Sequence, residues 1–211
     1  MKIEALDHIA LWVDDRDALA DFLVEEFAFH VIDRTDAFTL VGGDARLGKL
    51  TLFDAVGPRE PGALEEIAVR VPAEAAGSEE LLTGPAGVPL RRIESDEPVA
   101  DLVHVAFRVP DPDETFAQLA GLGFVEEGGR LRAGDAFVVL ERGEAPATER
   151  PLLNHLGLRV ESAEDHLEEA KRRGLEIADV VDAANTYAVF VWGPDGIKLE
   201  YVEHKPSFSL V

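Results

Sequence analysis

Four eight-residue segments of this chain share one register: Leu6–Val13, Leu64–Val71, Leu102–Val109 and Leu153–Val160. Their fourth, sixth and eighth positions are always apolar, and their fifth is always small: Ala10, Ala68, Ala106 and Gly157. The third position reads His8, Glu66, His104 and His155. Three of the six histidines therefore fall at one place in a repeat. A metal-capable side chain held in register through diverged copies constrains both the fold and its chemistry.

Within each segment apolar and other residues alternate, the period of a half-buried strand. Leu156, Leu158 and Val160 share one face, and His155, Gly157 and Arg159 the other. Val105, Phe107 and Val109 likewise oppose His104, Ala106 and Arg108. One face is suited to pack on helices; the other looks into a wetter cleft. Helical patterns follow in three copies. Asp14 and Asp15 precede Leu19, Phe22, Leu23 and Phe27; Asp113 is placed to cap a helix carrying Phe116 and Leu119; Ser162 begins a capping-box-like start with Leu167 and Ala170 behind it. Short strand-like runs come next: 38–41 and 49–53, 130–132 and 136–140, and 188–192, which turns through Gly193-Pro-Asp-Gly196 into 197–203. The unit is strand, helix, three strands. The fold class expected is α+β, with repeated βαβββ modules forming two cupped mixed sheets.

The modules are expected at 3–55, 64–95 (shortened), 102–142 and 152–204. The acidic, Pro-containing stretch Glu94–Val99 suggests a boundary, giving an N-terminal half of residues 1–98 and a C-terminal half of residues 99–211 that bears the metal.

Cysteine is absent, so any metal must be held by histidine and carboxylate. Twenty Lys and Arg against 42 Asp and Glu, a net charge of −22, argue against a nucleic-acid partner and describe a solvated acidic surface. No apolar run approaches a membrane span and the start is not a signal peptide, so a cytoplasmic protein is expected.

The repeat, with Gly193-Pro-Asp-Gly-Ile-Lys-Leu-Glu200 closing the last copy, resembles the vicinal-oxygen-chelate superfamily of glyoxalases, bleomycin-resistance proteins and extradiol ring-cleaving dioxygenases. The resemblance covers nearly the whole chain. It implies metal ligands from the first and fourth strands of a module: His104, His155 and Glu200, with Glu141 as a candidate fourth. Two histidines and one carboxylate suit Fe(II) or Mn(II). A second carboxylate looks like glyoxalase-type sites, which use nickel, zinc or cobalt. Arg108 and Arg159 share the ligand face and either hold a substrate carboxylate or pair with acids at the strand ends. Phe190, also assigned to substrate, stands where the dioxygenase signature has a tyrosine, and the upstream stretch Val181–Asn185 lacks that signature's histidine.

The leading functional expectation is an extradiol-dioxygenase-like enzyme binding a small catechol-type substrate on a divalent metal. The alternatives are a glyoxalase-like isomerase, epimerase or lyase, and a non-catalytic bleomycin-resistance-like binding protein, each as monomer or homodimer. A second metal site around His8 and Glu66 is the weaker expectation, because its fourth strand offers Thr51 or Leu52 where a carboxylate would be needed. His30, His166 and His204 read as surface residues.

Overall fold

Each copy of the repeat opens a β-strand, and three copies continue into a helix with an identifiable cap. The structure, a computed structural model, describes residues 1–73 and 81–210. The first module comprises β1 (Ala5–Val13), α1 (Arg16–Phe27), β2 (His30–Arg34), β3 (Phe38–Gly42) and β4 (Lys49–Asp54). The second has β5 (Leu64–Pro72), β6 (Leu81–Thr83) and β7 (Pro89–Ser95); residues 74–80 of its expected span lie outside the described residues. The third runs through β8 (Asp101–Val109), α2 (Pro112–Gly121), β9 (Val125–Glu127), β10 (Arg130–Ala133) and β11 (Ala136–Arg142). The fourth has β12 (Leu153–Arg159), α3 (Ala163–Arg173), β13 (Ile177–Asp182), β14 (Thr186–Trp192) and β15 (Lys198–His204).

The Asp15 carboxylate accepts from the Ala18 amide to start α1, and Ser162 accepts from Asp165 to start α3, which ends on left-handed Gly174. For α2 the cap is Asp111 and not Asp113, which lies in the first turn. Pro112 explains the shift: lacking an N–H, it fits the first helical position, where that donor would be orphaned anyway.

The strands form two mixed sheets, ordered β13-β14-β15-β12-β1-β4-β3-β2 and β6-β7-β5-β8-β11-β10-β9. In the complete modules the first strand pairs parallel with the last, leaving its other edge free. That edge is taken by the first strand of another module, antiparallel: β1 with β12, and β5 with β8. Sheet pairing therefore does not divide at residue 98. The chain leaves the first sheet after β4, builds the second from modules two and three, and returns to complete the first with module four. The expectation joined modules adjacent in sequence; the sheets join the first to the fourth.

A single apolar core spans both sheets, built from the even positions of the repeat such as Ile9, Leu11, Phe107, Leu156 and Leu158, all buried. Helix α1 touches β5 and the turn Pro85–Gly87 of the opposite sheet, and α2 touches the turn Pro194–Gly196. Helices α1 and α2 thus lie between the sheets. The Tyr201 hydroxyl of β15 donates to the Leu122 carbonyl at the end of α2, 2.7 Å away. With the apolar faces turned inward, the histidine-bearing faces look outward. Among the described residues no helix is long and apolar enough to cross a membrane.

Candidate metal centre

Alternation alone sends Asp7 and His8 to opposite faces. The β1–β12 ladder breaks that rule twice. Leu6 pairs with Leu158 but His8 with Gly157, so Asp7 is an extra residue on β1; Ala10 pairs with His155 but Leu11 with Leu153, so Asn154 is extra on β12. Such β-bulges re-aim side chains. Each bulged residue here reaches the histidine that follows it: Asp7 Oδ2 lies 2.7 Å from His8 Nδ1, and Asn154 Oδ1 lies 3.1 Å from His155 Nδ1. Both rings are thereby oriented with Nε2 pointing away from the strand.

The two Nε2 atoms meet the carboxylate of Glu200 on β15. His8 Nε2 is 3.0 Å from His155 Nε2 and 3.0 Å from Glu200 Oε2, and His155 Nε2 is 2.9 Å from the same oxygen. All three residues are buried. Although both rings are within reach, Glu200 Oε2 receives no hydrogen bond of acceptable angle. The carboxylate oxygen is left open beside the two rings, and the three donors surround a common point. Metal–ligand bonds of roughly 2.1 Å set at right angles put neighbouring donors about 3.0 Å apart, and tetrahedral angles put them about 3.4 Å apart. The observed triangle fits one face of an octahedron. Among the described residues it is the one group of three His, Asp or Glu side chains close enough to share an ion.

Electrostatics preorganise this triangle. Asp7 is 2% exposed and bridges three partners: Lys49 Nζ at 2.7 Å, His204 Nε2 at 2.8 Å and His8 Nδ1. Burial alone would raise its pKa; Lys49, His204 and His8 reverse that and hold it far below the carboxylate range. Burial opposes charge on His8, but Glu200 and Asp7 outweigh it and push the ring up to about 9 without metal. Glu200 is held down at about 2, burial being overcome by the two imidazoles. His155 is lowered, by burial first and by the charge of His8 among the lesser causes. The positive charge is thus favoured on His8 and disfavoured on His155, and a metal ion held here would have to displace the His8 proton.

Gly157 makes room for this arrangement. A Cβ there would stand 2.2 Å from His8 Cε1 and 2.3 Å from Nδ1. The backbone at this position would accept alanine, as the other three copies do, so the constraint is the imidazole packed across the strand pair. Gly157→Ala is expected to leave the fold intact and weaken metal affinity at least tenfold, about 1.4 kcal/mol, read by competition with a metal-sensitive chelator dye.

The other expected site residues are distributed as follows. His155 and Glu200 converge, but their partner is His8. His104 lies on the second sheet, where its Nε2 meets Glu66 Oε1 at 2.8 Å. Register explains the difference. In the first sheet the four cup-facing positions of the paired modules hold His8, His155, Thr51 (opposite Ala10) and Glu200 (opposite Gly157). The matching positions of the second sheet hold Glu66, His104, Arg91 (opposite Ala68) and Val139 (opposite Ala106). Arg91 binds Glu66 Oε2 at 2.7 Å, so a guanidinium ion pair occupies the place of a metal. The second site expected around His8 and Glu66 is therefore not assembled, because these residues belong to different sheets. Glu141 is exposed near the end of β11. Arg108 pairs with Glu65 at 2.7 Å and Arg159 with Glu4 at 3.2 Å, neither on the His8 cup. Phe190 does line that cup, its ring edge-on to His155 at 5.1 Å. Of the histidines read as surface residues, His30 is exposed. His166 is buried against Tyr201 and Ser162, and His204 faces the cup.

Burial tends to raise the Glu66 pKa, but Arg91 and His104 lower it overall. A carboxylate so depressed contributes stability above its unfolded pKa and loses it as pH falls through the folded value. The difference in thermal midpoint between the protein and Glu66→Gln is thus expected to be full above the ordinary carboxylate pKa and to be lost as pH falls through the lowered folded value. A difference that persists in acid would contradict an ionic role.

Above the triangle opens a cleft of about 410 Å³. Its walls are largely apolar: Phe38 and Leu40 from β3, Phe53 from β4, Phe190 from β14, Val202 from β15, and Phe208 beyond it.

A cupped sheet in which two imidazoles and one carboxylate converge beneath an apolar cleft defines a candidate metal centre on paired βαβββ modules. The family model described as Glyoxalase/Bleomycin resistance protein/Dioxygenase superfamily matches residues 5–141, so the chain belongs to that superfamily. A search of curated proteins by sequence finds no match. Among solved structures, a Bacillus subtilis protein assigned as a dioxygenase superposes with a TM-score of 0.77 at 17% identity, covering 98% of this chain and 87% of that one. Glyoxalase I from Zea mays superposes with a TM-score of 0.66 at 16% identity, over 94% of this chain and 92% of that one. The cppA protein of Streptococcus pneumoniae gives 0.66 at 12% identity, over 96% and 100%. At such identities the likeness speaks for the fold alone.

Proposed function

We propose that the protein is a metal-dependent enzyme of the extradiol-dioxygenase type, acting on a small catechol-like substrate with Fe(II) or Mn(II) held by His8, His155 and Glu200. The observation that carries this reading is the donor triangle with Thr51 in the fourth cup-facing position. Three protein donors would leave a bound Fe(II) or Mn(II) with positions open for the paired oxygens of a substrate and a small ligand. A glyoxalase-type site, with nickel, zinc or cobalt, calls for a second carboxylate in that fourth place, and the hydroxyl of Thr51 does not supply one.

A bound divalent ion would polarise and orient the substrate oxygens and, if redox-active, bring O₂ beside them. The chain's own residues do the rest. Asp7 and Asn154 fix the ring orientations. Phe38, Phe53 and Phe190 hold a flat apolar body and exclude water. Phe190 has no hydroxyl, so a proton leaving the substrate needs another acceptor. His204 is the non-ligand imidazole of the cup, four residues beyond Glu200 on the same strand face and held by Asp7. His204→Gln keeps a donor toward Asp7, so metal is expected to be retained while turnover falls by about 10²–10⁴-fold. Loss of metal with turnover would instead make His204 a support for Asp7. Each sheet is completed within one chain, so a monomer suffices and a homodimer adds nothing to the cup. A small-molecule enzyme without cysteine suits the cytoplasm.

The test is metal content of anaerobically purified, untagged protein, followed by oxygen uptake with catechols. About one iron or manganese per chain with substrate-dependent oxygen uptake supports the proposal. Nickel, zinc or cobalt without oxygen uptake overturns it in favour of an isomerase or lyase, and failure to bind any metal leaves a binding protein.

A further inference from the structure

Three walls of the metal cup come from the sheet itself; a fourth comes from the segment after β15. Phe208 stacks face to face on His204, centroids 4.0 Å apart and planes within 3°, with the Arg46 guanidinium 6.0 Å from its ring. Phe208 and Leu210 both line the cleft. The segment is fastened to the loop between β13 and β14. The Lys205 amide donates to the Asn185 carbonyl at 2.8 Å, and Ser207 Oγ donates to Ala184 at 2.8 Å. Lys205 Nζ reaches the Ala183 carbonyl at 2.6 Å and pairs with Asp182. All three of the loop's residues, Ala183, Ala184 and Asn185, line the cleft as well.

We infer that Lys205–Leu210 is a strap that completes the cup, and that Phe208 determines which ligands fit it: planar aromatic diols with no bulky group on the side facing the strap. A flat ring can lie among the phenylalanines, where aromatic contacts favour it. A bulky substituent would meet Phe208. This assignment rests on the catechol reading above and adds to it the residue that limits substrate size.

The test uses the full chain, anaerobically reconstituted with Fe(II), and two probes: nitrocatechol, which is flat, and a catechol bearing a tert-butyl group. Binding is followed by the absorbance of the catecholate. The Phe208→Ala variant is expected to hold the same iron as the unaltered protein, to bind nitrocatechol up to about tenfold more weakly, and to bind the bulky catechol more tightly. Equal Kd values for both probes in both proteins would overturn the strap's role while leaving the catechol site standing. Loss of iron in Phe208→Ala would also overturn it, since the ring would then support the metal ligands instead. Failure of the unaltered protein to bind either catechol would overturn the catechol reading and the strap with it.

Discussion

Replacing His8 by alanine is expected to lower metal affinity by about a hundredfold or more, whereas His104→Ala leaves it unchanged. A four-ligand protein site binds its metal with roughly 10–16 kcal/mol, so one ligand is worth about 3 kcal/mol. His8 supplies one corner of a triangle with 2.9–3.0 Å sides, and among the described residues no other group of three His, Asp or Glu side chains is close enough to share an ion. His104, by contrast, has its Nε2 on Glu66 in the other sheet. His155→Ala and Glu200→Gln are expected to match His8→Ala. Metal retained per chain after dialysis, measured by mass spectrometry, checks all four. Full occupancy in His8→Ala with loss in His104→Ala would restore the ligand set drawn from neighbouring modules.

Asp7→Ala is expected to act on stability and metal together. Lys49 has only 4% of its side chain exposed, and its ammonium is bonded to Asp7 Oδ2. Removing the carboxylate leaves a buried charge without its partner, which costs about 3–5 kcal/mol. It also frees the His8 ring, and loss of such an outer carboxylate weakens metal binding by about 10–100-fold. A second variant separates the effects. Lys49→Met combined with Asp7→Ala removes both charges, so denaturant unfolding should recover most of the lost stability while metal affinity stays low. If the double variant regained affinity too, Asp7 would act by neutralising Lys49 and not by orienting His8.

Much of the architecture was legible because it depends on local periodicity. The apolar even positions of each repeat segment became the inner face of a strand, and the Asp15 and Ser162 starts became real caps. His155 and Glu200 were legible as neighbours in one candidate cluster through the family resemblance, since both lie in one module whose first and fourth strands pair directly. The Asp7 contact was harder to read. Its signal is present as a polar residue just before the histidine, Asp7 in the first copy and Asn154 in the fourth, against Val103 before His104. That signal carries meaning only once the bulge is known, because strict alternation would place those side chains on the far face.

By itself the sequence determined the first and last strands and the helices of the complete modules, the face on which His8, His104 and His155 stand, and a donor set limited to imidazole and carboxylate. The tertiary structure decided which copies share a sheet, and so that His8 rather than His104 completes the centre. The physical reason is that the four first strands present equivalent apolar faces and equivalent free edges. Local pattern therefore leaves their pairing undetermined, and only packing both sheets around one shared core selects β1 with β12 and β5 with β8.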